Sequence, residues 1–271
     1  MAQDRFGLSE RRACRIVGQS RSTQRRVAPA PGDGPLRARL HAIARAHQRF
    51  GYRRAHALLL REGWALNRKK VLRLWREEGL KVQARHHKRH RPPGGEQAHR
   101  AERPNHVWAI DFQFDATSEG RMLKLANVVD EFTREAITIR TDRTCTSDHL
   151  VNELEALVAE RGAPGHLRCD NGPELIAWAL RDWCRRTGMT TSYIEPGSPW
   201  ENPYIESFNA RIRDELLAIT EFCTLTEARI LIEDWRNEYN TERPHSSLGY
   251  LTPVEFHRAW TERHQPQPAL S

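Results

Sequence analysis

The sequence predicts an α/β protein: a mixed five-stranded sheet with flanking helices, preceded by a small all-α module. Three observations carry this. Residues 107–115 alternate apolar and polar with the period of a strand, and two further short strand patterns follow. From residue 147 onward, helix-like and strand-like segments take turns. Ahead of all these, residues 36–48, 52–62 and 68–78 read as three helices, punctuated by Gly51 and Gly63, with Asn67 placed to cap the third.

Taken in order, the chain opens with a helix from Ser9, a suitable N-cap, to about Val17, and a short second helix near 21–27. The stretch Pro29-Ala-Pro-Gly-Asp-Gly-Pro35 then breaks the chain as a linker. In the helix over 68–78, Val71, Leu74 and Trp75 share an inward face, while Lys69, Arg73 and Arg76 line another. This resembles a helix-turn-helix module with a basic recognition helix. The alternative is a surface helix with a solvated basic stripe. Charge favours the first reading. The net +8 divides into 26 Lys+Arg against 8 Asp+Glu before residue 105 and 17 against 27 after it. A basic half with helical patterning suits a DNA-binding surface whose affinity falls with salt. The polar connector 81–106 carries His86, His87, His90 and His99, but without paired cysteines at zinc spacing, so phosphate contact is expected there rather than metal. These segments give domains of 1–34 (short helices and linker), 35–84 (helix-turn-helix-like), 85–104 (basic linker), 105–260 (catalytic core and C-terminal helix) and 261–271 (tail).

In the strand over 107–115, Trp108, Ile110, Phe112 and Phe114 point one way and Asp111, Gln113 and Asp115 the other. Strands at 121–129 and 134–140 complete an antiparallel meander. A helix over 147–161, capped by Ser147 or a neighbour, ends before Gly162. A short strand at 166–169 delivers Asp170 at its carboxyl end, where Asn171-Gly172-Pro173 forces a turn. Helix 174–187, strand 190–194 and loop 195–201 follow. Three strands and then alternating helix and strand is the order of the ribonuclease-H-like fold, which lets Asp111 and Asp170 share an ion. Glu206 belongs on a helix with Asn202 as N-cap and Pro203 at its first position. Ile205, Phe208, Ile212 and Leu216 form its apolar stripe; Asn202, Glu206, Asn209 and Arg213 form the polar one. A last amphipathic helix near 226–240, with Trp235 and Tyr239 inward, leads into a Pro/Gly turn.

Three carboxylates on a basic protein point to divalent metal held against nucleic-acid phosphates, because Mg²⁺ prefers hard oxygen ligands and leaves positions for substrate. Among 35 acidic residues a triad means little without its surroundings. Here the surroundings are Trp108-Ala-Ile-Asp111-Phe, Asp170-Asn-Gly-Pro-Glu174, Pro196-Gly-Ser-Pro-Trp-Glu-Asn202 continuing to Ile205-Glu206-Ser-Phe-Asn209, and Tyr239-Asn-Thr-Glu-Arg-Pro-His-Ser-Ser-Leu-Gly-Tyr250. In this order they resemble the second-frame (OrfB) transposases of bacterial insertion sequences, members of the wider group with the retroviral-integrase catalytic core. The resemblance covers roughly residues 35–260. Leu175, where an aromatic residue is usual, and Tyr204 depart from the pattern.

The resemblance implies a DNA transposase with Asp111, Asp170 and Glu206 as catalytic metal ligands for two Mg²⁺ ions, with Mn²⁺ able to substitute. It implies hydrolysis at the element's ends, then attack of the freed 3′-hydroxyl on another phosphodiester. It further implies double-stranded DNA partners (terminal inverted repeats and target), a homo-oligomer, a circular intermediate, and fusion to an upstream-frame product by frameshifting. Arg213 stands where relatives carry a basic residue, and Arg243 and His245 are candidate DNA contacts beside Lys69, Arg73 and Arg76. Asp115 and Asp130 read as structural, Glu174 as a helix charge or a metal neighbour, and Trp200 and Tyr204 as packing or base-stacking residues. A nuclease of the same fold and a regulator with vestigial carboxylates are the rivals. No run approaches the roughly 20 apolar residues of a membrane helix, no signal peptide is evident, and the five scattered cysteines form neither a zinc nor a disulfide framework. A bacterial cytoplasmic, nucleoid-associated protein is expected.

Overall fold

A computed structural model describes residues 7–24, 32–81, 100–170, 178–193 and 202–264. The chain divides into two compact units, residues 1–43 and 44–271. The first holds α1 (Glu10–Val17), α2 (Arg21–Gln24) and most of α3 (Gly34–Ala46). Gly18 closes α1 in a left-handed conformation, φ 70°, returning its N–H to the helix's last carbonyls.

The second unit begins with α4 (Tyr52–Arg61) and α5 (Arg68–Glu77), joined through Gly63 at φ 85°. Asn67 caps α5 as expected, its side-chain oxygen accepting the Lys69 N–H at 2.8 Å. Val71, Leu74 and Trp75 are buried, and Lys69, Arg73 and Arg76 are all exposed. Three α4-side arginines tie this helix pair to the rest of the unit. Arg61 reaches the Glu242 and Tyr250 carbonyls and the Glu255 carboxylate, Arg54 reaches Glu215, and Arg49 the Asp214 carbonyl.

The sheet comprises β1 (Val107–Ala116), β2 (Met122–Asp130), β3 (Ala136–Asp142), β4 (His166–Cys169) and β5 (Thr190–Tyr193) in the order β3-β2-β1-β4-β5. β1, β2 and β3 pair antiparallel, while β4 and β5 continue parallel to β1. This is the expected mixed sheet. One face packs on α6 (Ser147–Arg161) and α7 (Trp178–Arg186) through Trp108, Ile110 and Val128 against Leu150, Leu154 and Trp183. The other packs on α8 (Pro203–Ile212) and α9 (Leu225–Thr241) through Ala109, Leu125 and Val129 against Ile205, Phe208 and Trp235. Phe208 meets Trp235 and Tyr239 with ring centroids 5.7 and 5.1 Å apart. Each such side chain removed from water contributes about 1.5–3 kcal/mol. A final helix, α10, spans Pro253–His264.

Local departures from the expected pattern have physical causes. Phe114 is 52% exposed rather than buried, because β1 extends past the helices covering its apolar face. Thr146, not Ser147, caps α6. α9 starts at a capping box in which Thr224 accepts the Glu227 N–H and Glu227 accepts the Cys223 N–H. Asn202 is buried but makes no side-chain cap; Pro203 does hold the first turn of α8. α8 does not run on to Leu216 as an α-helix but widens into a π-turn over Arg213–Leu217. No described helix is long and apolar enough to cross a membrane.

Candidate active site

Asp111 sits mid-strand in β1 on the face toward α8, opposite Asn127 of β2. Its Oδ2 accepts the Asn209 side-chain N–H at 2.7 Å and its Oδ1 accepts the Phe112 N–H at 2.8 Å. Asn209 lies one turn beyond Glu206, so the helix that carries Glu206 is latched to the strand that carries Asp111. Asp170 directly follows Cys169, the β4 partner of Ile110, which brings it level with Asp111 along the sheet. Asp170 is exposed and Glu206 half-buried. Burial, and then the charges of Asp170 and Glu206, push the Asp111 carboxyl up to about 6 against the Phe112 and Asn209 hydrogen bonds. Asp111 therefore senses the other two carboxylates. Among the described residues no three His, Cys, Asp or Glu side chains are gathered tightly enough to enclose an ion. The acids are neighbours that repel, not a closed ligand set.

Beneath Asp111 lies a layer of amides. Asn127 donates to the Asn209 side-chain oxygen at 2.7 Å and to Gln113 at 3.3 Å, and Gln113 donates to the Asn209 carbonyl at 3.2 Å. Sequence reasoning put Asn209 on the polar stripe of its helix but gave no role to Asn127 or Gln113. The available signal was that both are amides at strand positions whose neighbours are core residues. Below Asp170, Arg168 meets Glu131 in a buried ion pair at 2.8 Å. Burial outweighs that attraction and pushes the Glu131 carboxyl up to about 7.

The anticipated DNA contacts separate into two groups. Lys69, Arg73 and Arg76 present an exposed stripe on α5, with Arg73 also paired to Glu77 at 2.7 Å. Arg213 is exposed at the junction of α8 and the π-turn. Arg243 and His245 are not on the surface, being 3% and 6% exposed. Arg243 holds Glu215 through two hydrogen bonds of 2.7 Å, and the His245 Nε2 lies 3.1 Å from the Tyr239 carbonyl. Both are held inside the fold, the π-turn directing Glu215 toward the Arg243 guanidinium. Tyr204 has one ring face covered by Arg134, 3.7 Å from the ring centroid. Glu174, Trp200 and the connector histidines 86, 87, 90 and 99 lie outside the described residues.

The geometry agrees with comparisons to known proteins. Two models described as "Integrase core domain" match residues 101–199 and 187–253, and one described as "HTH-like domain" matches 33–89. A 31.7 kDa protein of insertion element IS407 from Burkholderia multivorans is 44% identical over 261 residues, covering 95% of this chain and 94% of that protein. The transposase of IS904 from Lactococcus lactis is 29% identical over 238 residues, covering 82% and 93%. A chain of the simian T-cell lymphotropic virus intasome, solved with a PP2A regulatory subunit, shares the fold at TM-score 0.53 and 18% identity, covering 87% of this chain and 78% of that one. With its integrase core and helix-turn-helix-like segment, the chain belongs to the OrfB-type transposases of bacterial insertion sequences.

Proposed function

We propose that this transposase cleaves DNA at the ends of its element and joins the freed 3′-hydroxyl to a second phosphodiester, with Asp111, Asp170 and Glu206 as the acidic centre. The observation that carries the reading is the Asn209 latch at 2.7 Å, which sets the Glu206 turn of α8 against Asp111 while β4 brings Asp170 level with both. The donor set fits hard divalent cations, since Asp111, whose proton affinity is raised by burial and by the neighbouring Asp170 and Glu206 charges, gains from a cation beside it. Ions of the Mg²⁺ class, two in number with Mn²⁺ as a substitute, would neutralise charge on the reacting phosphate and on the leaving oxygen. Asp111 is the member held by hydrogen bonds, and Asp170 and Glu206 would complete the set around an ion. In the first step water attacks phosphorus and the 3′-oxygen leaves. In the second that 3′-oxygen attacks a new phosphorus and displaces another 3′-oxygen, so one phosphodiester forms for each one broken.

The same reading assigns Lys69, Arg73 and Arg76 to duplex recognition and Arg213 to the DNA backbone near the reacting phosphate, where a bidentate guanidinium suits a phosphate better than an ammonium. It takes the terminal inverted repeats and target DNA as substrates of a homo-oligomer, acting as a fusion with an upstream-frame product. It keeps the domain boundaries set out from the sequence. A strand-transfer assay with labelled element ends tests it. Asp111→Asn, Asp170→Asn and Glu206→Gln each abolish cleavage and joining while duplex binding survives. Near-normal joining by any of them removes that residue from the centre, and cleavage without joining by the wild type selects the nuclease reading instead.

A further inference from the structure

On the flank of α8 away from Glu206 lies a cavity of about 270 Å³. At about 3.6 residues per turn, Tyr204, Ser207 and Arg211 fall on one side of the apolar stripe of α8 and Glu206 and Asn209 on the other. The cavity is therefore separate from the acidic centre. Its walls come from both modules of this unit: Arg54 from α4, Arg134 from the β2–β3 turn, Arg211 and Ser207 from α8, and Arg243 and Ser246 from the segment after α9. Among the described residues no carboxylate lines it.

Four guanidinium groups thus share one recess. Glu215, behind the wall, serves two of them, meeting Arg243 at 2.7 Å and Arg54 at 3.2 Å. Arg134 and Arg211 have no ion pair among the described residues. Arg134 is nonetheless held in place. Its backbone adopts φ 65°, its N–H is taken by the Asp130 carbonyl at 2.9 Å, and its guanidinium stacks 3.7 Å from the centroid of the Tyr204 ring. Its Nη1 is buried with no hydrogen-bond partner among the described residues. A buried donor left unmade costs about 1–3 kcal/mol, more when charged. Burial, the Arg243 charge and more distantly Arg211 push Arg54 down to about 10, against the pull of Glu215. The recess therefore gathers four guanidinium groups, with Glu215 serving two of them and the Arg134 charge also felt by Glu131.

We propose that this cavity is a second, metal-independent anion site that seats a phosphate group, supplied by the backbone of bound DNA. Arginine forks and serine hydroxyls match the several acceptor oxygens of a phosphate, and a surplus of cations matches its charge. Because α4 and α8 both contribute, a phosphate seated here is gripped at once by the helix pair that carries α5 and by the helix that carries Glu206. Only the source of the phosphate rests on the DNA reading given above; the anion site itself does not.

The test uses the full chain in chelator, without divalent ions, in wild-type and Asp111→Asn backgrounds. Inorganic phosphate is titrated by calorimetry, and a duplex oligonucleotide by fluorescence anisotropy over a salt series. Inorganic phosphate binds the wild type and not the double variant Arg134→Gln, Arg211→Gln. Duplex affinity of the double variant falls about tenfold or more, and its salt slope drops by about one to two contacts. Arg134→Lys with Arg211→Lys keeps part of both. Without ligand, the Gln variants unfold at the wild-type temperature or above it, since an unpaired charge has been removed; a merely structural role lowers it. Phosphate binding that depends on both arginines, with duplex affinity unmoved, overturns DNA as the source and leaves a free phosphate as the occupant. Phosphate and duplex binding indifferent to both substitutions overturn the site. Neither result touches the acidic centre, which is silent under these conditions.

Discussion

Asn209→Ala tests whether the acidic centre depends on a latch outside it. Asn209 donates to Asp111 and accepts from Asn127, each at 2.7 Å. A hydrogen bond to a charged group contributes about 1.5–3 kcal/mol and a neutral one about 0.5–1.5 kcal/mol. Removing the side chain leaves Asn127 with only its 3.3 Å bond to Gln113 and frees the Asp111 oxygen to turn. If the charge-assisted bond alone governs the placement of Asp111, joining falls by about 10–100-fold, one decade for each 1.4 kcal/mol. The latch acts through Asp111, so the loss should be larger at low Mg²⁺ and shrink as Mg²⁺ rises. A change that only loosens the fold lowers joining equally at every metal concentration. Asn209→Asp is the sharper variant, because it replaces a donor with a carboxylate facing Asp111 and should be more damaging at low Mg²⁺ than alanine. Wild-type joining by Asn209→Ala across the metal range would refute the positioning role, and a loss independent of metal would assign Asn209 to folding alone.

Three further outcomes follow from charge and burial. Lys69→Ala with Arg73→Ala in the full chain should weaken duplex binding and lower the salt slope by about 1.8, the yield of two phosphate contacts; an unchanged slope makes the α5 stripe merely solvated. Glu215 is buried, yet its hydrogen bonds and charge interactions with Arg243 hold its carboxyl below the usual carboxylate range. Glu215→Gln leaves Arg243 without its counter-charge and should lower unfolding stability by about 3–5 kcal/mol, whereas a loss under 1 kcal/mol in chemical denaturation rejects the buried-pair account. His245 is pushed down to about 3 by burial and by the Arg243 charge. Below its ordinary value of 6.5 the unfolded chain takes up a proton that the folded chain refuses, so this group's contribution is whole above 6.5 and is lost as pH falls toward 3. At about 1.4 kcal/mol per unit, roughly 3 kcal/mol is lost by about pH 4.5. His245→Gln should flatten that part of the stability–pH curve, and parallel curves for the two proteins dismiss the effect.

Most of the sheet was legible because its signals are local. The alternation Trp108-Ala-Ile-Asp-Phe fixes which face Asp111 occupies, and the turn-forming Asn171-Gly172-Pro173 marks where the short strand before Asp170 ends. Pro203 marked the start of α8 for the same reason, a constraint imposed by one residue on its own backbone. The features that escaped depend on partners far along the chain. Nothing near Arg243 announces Glu215, because the meeting needs a π-turn 28 residues upstream to rotate the carboxylate inward. Asn202 has the chemistry of a cap, but its φ of −120° and ψ of 54° turn its side chain from the helix amides. The Thr224–Glu227 capping box starts α9 ahead of the point near residue 226 where its amphipathic stripe becomes regular. Phe114 shows the limit of periodicity, which assigns a face but not whether a helix reaches far enough to cover it.

The economy of the catalytic half lies in α8, whose ten residues serve three surfaces at once. Ile205, Phe208 and Ile212 seat it on the sheet, Asn209 bonds Asp111 with Glu206 one turn before it, and Tyr204, Ser207 and Arg211 line the arginine-rich cavity. Because the three stripes share one rigid helix, the core residues set the angle at which Glu206 faces Asp111. A shift of the helix toward a ligand on the cavity side would also alter the acidic side. The π-turn at its end is what makes this possible without a kink. It absorbs the change of direction, turns Glu215 toward Arg54 and Arg243, and leaves Arg213 exposed beyond the acidic centre. Arg54 in turn belongs to the helix paired with α5, so Glu215, together with the Arg49 bond to the Asp214 carbonyl, ties that helix pair to the end of the helix that carries Glu206.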